Sequence, residues 1–192
     1  MGVDLEETPS RPFRGVRYID GVRAAEGRFR GRPGRGVRRT VLHDALRRRA
    51  ERAGVVLRWR TRVTAVEENA FRIDGESIAG RWLVAADGRT SRVRRWSGLD
   101  GRSARRRRFG VRRHYTVEPW SDLVEVYWHD GCEAYVTPVA DDLVGVAMLW
   151  SGGSARFDEL LAKFPELAER LDGCEVASSD RGAGGFGHSG SH

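Results

Sequence analysis

Lysine is almost missing from this sequence: Lys163 stands alone against 33 arginines. Arginine is the better bidentate phosphate ligand, yet surfaces that track a nucleic-acid backbone draw on lysine as well. With 24 glycines also present, the bias reflects general residue usage more than a nucleic-acid partner. Cysteine is scarce too, with only Cys132 and Cys174. That excludes a disulfide framework, matches no metal spacing, and suits reduced thiols in a cytoplasmic protein. No hydrophobic run approaches membrane-spanning length. The opening MGVDLEETPSRPF has neither the basic start nor the apolar core of a secretory signal, and Glu6 breaks the myristoylation pattern. Also absent are a nucleophile elbow, HExxH, CxxC and a separated acid pair. His43, His114 and His129 are too scattered to make a metal set. Side chains alone offer no evident reaction, so catalysis here needs a cofactor.

What is present is a globular composition and an uneven charge. The 192 residues are 40% hydrophobic, enough for one sizeable core or two small lobes. Residues 1–113 carry 30 basic and 13 acidic side chains, a balance of +17, whereas residues 114–192 carry 4 and 14, a balance of −10. Such asymmetry steers an anionic ligand, or a polyanion, towards one side.

Periodicity organises the chain. RGVRYIDG (14–21) alternates as a strand, with AAEGRFRG (24–31) as its hairpin partner. After a glycine- and arginine-rich loop, Val41, Leu42, Ala45, Leu46 and Ala50 recur at one-turn spacing, predicting an amphipathic helix closed by Gly54. VVLRW (55–59) is a predicted strand, and VTAVEE with NAFRIDG (63–75) a small hairpin. ESIAGRWLVAADG (76–88) reads as a returning strand whose LVAA core suits a central position covered on both faces. A short helix, SRVRRWSG, leaves it. GRSARRRR (101–108) is the best internal boundary. Beyond it FGVRRHYTVE, VEVYWHDG, CEAYVTPVA and DLVGVAMLW predict an antiparallel meander turning at Asp130-Gly131 and Asp141-Asp142. Residues 154–173 predict two short helices broken at Pro165, and residues 178–192 have no core-forming period.

The Asp87-Gly88 pair is the first candidate site. An acid at the carboxyl end of an apolar strand, followed by glycine, lets backbone approach a ligand, while Thr90 and Ser91 can cap the next helix. An ordinary capped turn explains the same residues equally well. Arg39, behind the glycine-rich loop and ahead of Leu42 and Leu46, stands at the positive end of its helix, where a phosphate is welcome. GRPGRG is not a P-loop, because the Lys-[ST] that serves phosphates and magnesium is missing. His114, Tyr127 and Tyr135 are candidates for a substrate pocket, the tyrosines within an aromatic stripe shared with Trp128 and Trp150. Core packing is the commoner fate of such aromatics.

WLVAADGRTSRVRRWSG resembles the Asp-Gly motif of flavoprotein monooxygenases and their relatives, the para-hydroxybenzoate hydroxylase and geranylgeranyl reductase group. RRTVLHDALRRRAERAGVVL is similar to that family's Arg-x-x-Leu helix and strand, and RFGVRRHY through EAYVTPV resembles its substrate-domain meander. The resemblance implies an α/β fold: an incomplete Rossmann-like FAD-binding domain over residues 1–100, joined to an antiparallel β-sheet substrate domain with helices over 101–178, then a disordered tail over 179–192. It implies FAD, reduced by NAD(P)H and acting on a small apolar organic substrate. Arg39 would lie near the ribityl-pyrophosphate portion, and Asp87 and Gly88 at the junction of FAD and nicotinamide. The family's opening strand–GxGxxG–helix unit and its later Gly-Asp motif have no counterpart in their places, so the expectation is a truncated, inactive centre of such an enzyme. The alternatives are a non-enzymatic basic domain binding nucleic acid or another polyanion, and a subunit completing a flavin site together with a complementing chain.

Overall fold

The computed structural model describes residues 8–88, 90–101 and 108–177. Arg89, the arginine run within the expected boundary at 101–108 and the tail over 178–192 therefore fall outside the described residues, apart from Gly101 and Arg108. Residues up to Arg52 group with those from Arg106 onward into one compact unit, and Ala53–Arg105 form a second.

The first unit begins with β1 (Arg11–Phe13), β2 (Gly15–Asp20), β3 (Arg23–Arg28), β4 (Gly34–Gly36) and α1 (Arg39–Arg52). The predicted hairpin of β2 and β3 forms in register, with Tyr18 opposite Ala25. β1 and β4 make a separate two-stranded ladder. Gly36 has to be glycine, because a Cβ there would come within 1.8 Å of the Pro138 carbonyl oxygen.

The acidic half supplies the rest. It contributes β8 (Arg108–Thr116), β9 (Val124–His129), β10 (Cys132–Ala140) and β11 (Leu143–Ser151). The two tight turns fall where the sequence puts them, and β9-β10-β11-β8 is an antiparallel series. β12 (Glu175–Val176) closes one edge, and β2 joins the other edge parallel to β9, Val16 opposite Val124. The result is one seven-stranded mixed sheet.

Alternation gives this sheet two unlike faces. On one, Tyr115, Val144, Val146, Met148, Val136 and Ala134 are buried beneath α3 (Phe157–Leu161) and α4 (Pro165–Leu171). Phe157, Leu160, Leu167 and Leu171 are the helical side of that core, each such fully buried side chain stabilising by about 1.5–3 kcal/mol. Pro165 starts α4 at its first turn, which separates the two helices as predicted. The other face carries Tyr18, Trp128, Tyr135, Leu149 and His114 and is only partly covered.

The second unit contains β5 (Val63–Val66), β6 (Ala70–Ile73), β7 (Glu76–Ala79) and α2 (Arg92–Trp96). The predicted hairpin is there, extended by β7 into a three-stranded antiparallel sheet. Two expectations need correction. Residues 55–59 join no ladder, and the long strand predicted over 76–88 stops at Ala79, leaving LVAA outside any ladder. An apolar run is necessary for a central strand but not sufficient, since a strand exists only through hydrogen-bonding partners. Instead of being covered on both faces, Trp82 and Val84 are 80% and 79% exposed. Among the described residues the one parallel pairing is β2 with β9.

Candidate cofactor-facing site

Asp87 ends the apolar segment and turns the chain into α2. Its Oδ2 accepts from the backbone N–H of Arg92 at 2.9 Å and of Val93 at 3.3 Å, and its Oδ1 accepts from the Ser91 hydroxyl. Ser91 Oγ in turn accepts from Arg94 N–H at 2.9 Å, capping the helix. The Ser91 hydroxyl, followed by the Val93 and Arg92 amides, holds the Asp87 carboxyl below its usual range. Asp87 is therefore ionised at neutral pH, and its negative charge is spent on first-turn donors. Those bonds shape the turn, while the residue itself stays exposed.

Gly88 has φ +86°, a conformation that L side chains rarely adopt, and its missing Cβ opens onto empty space. Backbone at Gly88 is thus accessible to close approach by a ligand. Beside it lies a cleft of about 360 Å³, walled by Val66, Phe71, Leu83, Ala85 and Leu99, with Asp87, Gly88 and Ser91 at its polar side.

Arg39 is exposed as the first residue of α1, whose first turn carries no acid. An exposed guanidinium at the positive end of a 14-residue helix suits an anion. Since Arg39 belongs to the first unit and Asp87-Gly88 to the second, each is described in its own surroundings.

The three pocket candidates do not share a face. His114 and Tyr135 lie on the open side of the large sheet, two strands apart. Tyr127 lies on the helix-covered side, edge-on to Phe164, and donates its hydroxyl to Glu125 Oε2 at 2.8 Å. Burial first, then that bond, push the Tyr127 phenol up, so it stays protonated. The Tyr135 hydroxyl donates to Glu133 Oε2 at 2.6 Å. His114 is pulled down to about 4 by burial and then by Arg112 and Arg38, so it is a neutral imidazole at pH 7. Gly145, opposite His114 in the next strand, leaves room for that ring.

Two groups escaped the sequence reading. Tyr18 pairs with Trp128 on the open face, ring centroids 6.5 Å apart. Its alternation was visible in RYID, but its neighbour across the parallel β2–β9 junction was not. Buried Glu125 accepts from Arg17 Nη1 at 3.0 Å, Trp120 Nε1 at 2.9 Å and the Tyr127 hydroxyl. A glutamate between two valines gave no signal of that role.

No cluster of His, Cys, Asp or Glu able to hold a metal occurs among the described residues. Among them, too, no helix is long and apolar enough to cross a membrane. No protein-family model matches the chain, and no curated protein matches it significantly. Solved structures do. A geranylgeranyl bacteriochlorophyll reductase-like protein from Thermoplasma acidophilum superposes with TM-score 0.75 at 18% identity, covering 92% of this chain and 50% of its own. The flavin-dependent brominase Bmp2 gives TM-score 0.75 at 19% identity, covering 91% and 50%. A flavoprotein/dehydrogenase from Cytophaga hutchinsonii gives 0.72 at 18%, covering 88% and 49%. The molecule thus has the mixed α/β fold of flavoprotein oxidoreductases. Within that class, its fold is that of the FAD-dependent monooxygenase, halogenase and geranylgeranyl reductase-like group. The chain spans about half the length of these solved structures.

The residues present suit part of an FAD. Open backbone at Gly88 and the cationic start of α1 suit its phosphate-bearing portion. GAGGFG at 182–187 spells GxGxxG but lies outside the described residues, and the spelling alone assigns nothing.

Proposed function

We propose that this chain forms the central part of an FAD-dependent oxidoreductase that takes electrons from NAD(P)H and oxidises or saturates an apolar organic substrate. The observation carrying the reading is the superposition of about nine-tenths of the chain on flavin-dependent proteins. Gly88 and Arg39 hold the pyrophosphate and ribityl portions of FAD, and Asp87 keeps the Gly88 turn in shape through its bonds to Ser91, Arg92 and Val93. When bound, FAD supplies the electron transfer that these side chains cannot. The open face of the large sheet walls the substrate. Tyr18, Trp128 and Leu149 give it apolar surface, and neutral His114 offers a single polar contact.

Fluorescence-polarisation titration with FAD tests this reading. Saturable, weak binding is expected, and Arg39→Ala should weaken it by about three- to tenfold, the scale of one exposed charge-assisted contact. Absence of saturable FAD binding, alongside retention of DNA that falls steeply with salt, would replace this reading by a basic polyanion-binding domain.

A further inference from the structure

On the open face of the large sheet, strand register lines up Arg112, Ala147, Tyr135, Val126 and Tyr18 in one row, from β8 across β11, β10 and β9 to β2. The two ends of this row differ in chemistry. At the β8 end Arg112 is exposed, and its side chain has no acidic partner among the described residues. His114, two residues along the same strand, has Arg112 and Arg38 as the charged groups acting on it. Glu133 on this face is already held by Arg108 at 2.6 Å and by the Tyr135 hydroxyl. At the β2 end Tyr18 and Trp128 are 50% and 47% exposed, their rings 6.5 Å apart beside buried Val126. Between the ends, Ala147 and Gly145 keep the floor of the face low.

Neighbouring strands lie about 4.7–4.9 Å apart, so three to four spacings, about 14–19 Å, separate Arg112 from the aromatic pair. A single ring bearing an acid group cannot touch both ends, whereas an extended acyl chain can. We infer that this face takes an elongated amphiphilic acid, its carboxylate on Arg112 and its apolar body lying over Ala147 towards Tyr18 and Trp128. A guanidinium without an acid partner matches a carboxylate in charge and in its paired donors. The exposed rings lose contact with water when an apolar chain covers them. The inference rests on the flavin reading in taking this face as the substrate side, and adds to it a head-group contact and a length requirement.

Isothermal titration calorimetry of the full chain with decanoate, 1-decanol and benzoate, all without FAD, tests it. Decanoate should bind saturably, and at least about tenfold more tightly than either 1-decanol or benzoate, the scale of one charge-assisted contact. Arg112→Gln should weaken decanoate at least about tenfold and leave 1-decanol unchanged, whereas Trp128→Ala should weaken both. Arg52→Gln, at an exposed position of α1, should alter neither. The His114 ring gives a second measurement by NMR. A carboxylate held beside it raises its titration point from about 4, and 1-decanol does not. Equal affinity for decanoate and 1-decanol, decanoate binding untouched by Arg112→Gln, or a His114 titration indifferent to decanoate would each overturn the inference. An Arg112→Gln variant that loses FAD and keeps decanoate would also overturn it, and would assign that cation to the cofactor phosphates. The two readings fail separately. A chain that binds FAD but not decanoate overturns this inference alone, and one that binds decanoate through Arg112 but not FAD overturns the flavin reading alone.

Discussion

His114 carries a pH dependence that follows from its surroundings. An unfolded histidine takes up its proton near 6.5, whereas folded His114 resists protonation down to about 4 because of burial, Arg112 and Arg38. Between those values the unfolded chain binds more protons than the folded one, so stability falls as pH drops through the window. The contribution is complete above about 6.5 and has nothing further to lose below about 4. Urea denaturation across that range should show the slope, and His114→Gln should flatten it; an unchanged slope would refute the assignment. Ser91 makes a second residue-scale case. Its hydroxyl joins the Asp87 carboxylate to the Arg94 amide, and the side chain is buried. Ser91→Ala removes the cap and one partner of Asp87 together, and should lower stability by about 1 kcal/mol. Differential scanning fluorimetry should register the loss, with Ser91→Thr retaining most of the wild-type value.

Elements that pair with their sequence neighbours were legible; those that pair at a distance were not. Asp130-Gly131 and Asp141-Asp142 mark two hairpin turns in the sequence, and alternation sets which side of β10 and β11 is buried. Nothing local to GVRYID says that it will lie parallel to VEVYWH more than a hundred residues later, yet that junction completes the large sheet. Glu125 sits at the junction, opposite Arg17 in register and bonded to it, with Trp120 and Tyr127 filling its second oxygen. Removing the carboxylate leaves three donors without their acceptor. Arg17 retains Glu26 and partial access to water, which moderates the cost. Glu125→Ala should therefore destabilise the unit by about 3 kcal/mol, and Glu125→Gln, which still accepts hydrogen bonds, by less. Equilibrium unfolding followed by tryptophan fluorescence measures both, and an alanine variant as stable as wild type would show that the junction holds without this cluster.

At the scale of the whole molecule, the fold class and the order of its pieces were legible because a resemblance in type ran along most of the chain, and the superpositions cover the same extent. The site was legible only as positions. Asp87 and Gly88 were visible as a motif, but the sequence did not spell out the bonds of the Asp87 carboxylate to the first turn of α2 or the open space beside Gly88. That arrangement limits what the chain can hold. On the proposed reading, the Gly88 turn in one unit and the start of α1 with Arg39 in the other offer FAD on the order of two or three charge-assisted contacts in all. At about 1.5–3 kcal/mol each, less the cost of immobilising a long flexible ligand, they give a dissociation constant no tighter than roughly 0.2 mM. FAD held that weakly is lost on gel filtration. The purified chain should accordingly be colourless, carry well under one flavin per chain by absorbance after denaturation, and consume no NADPH above the rate of free FAD. A yellow protein with stoichiometric FAD would mean that residues beyond the described ones supply the missing donors, and would move the cofactor site away from Gly88 and Arg39.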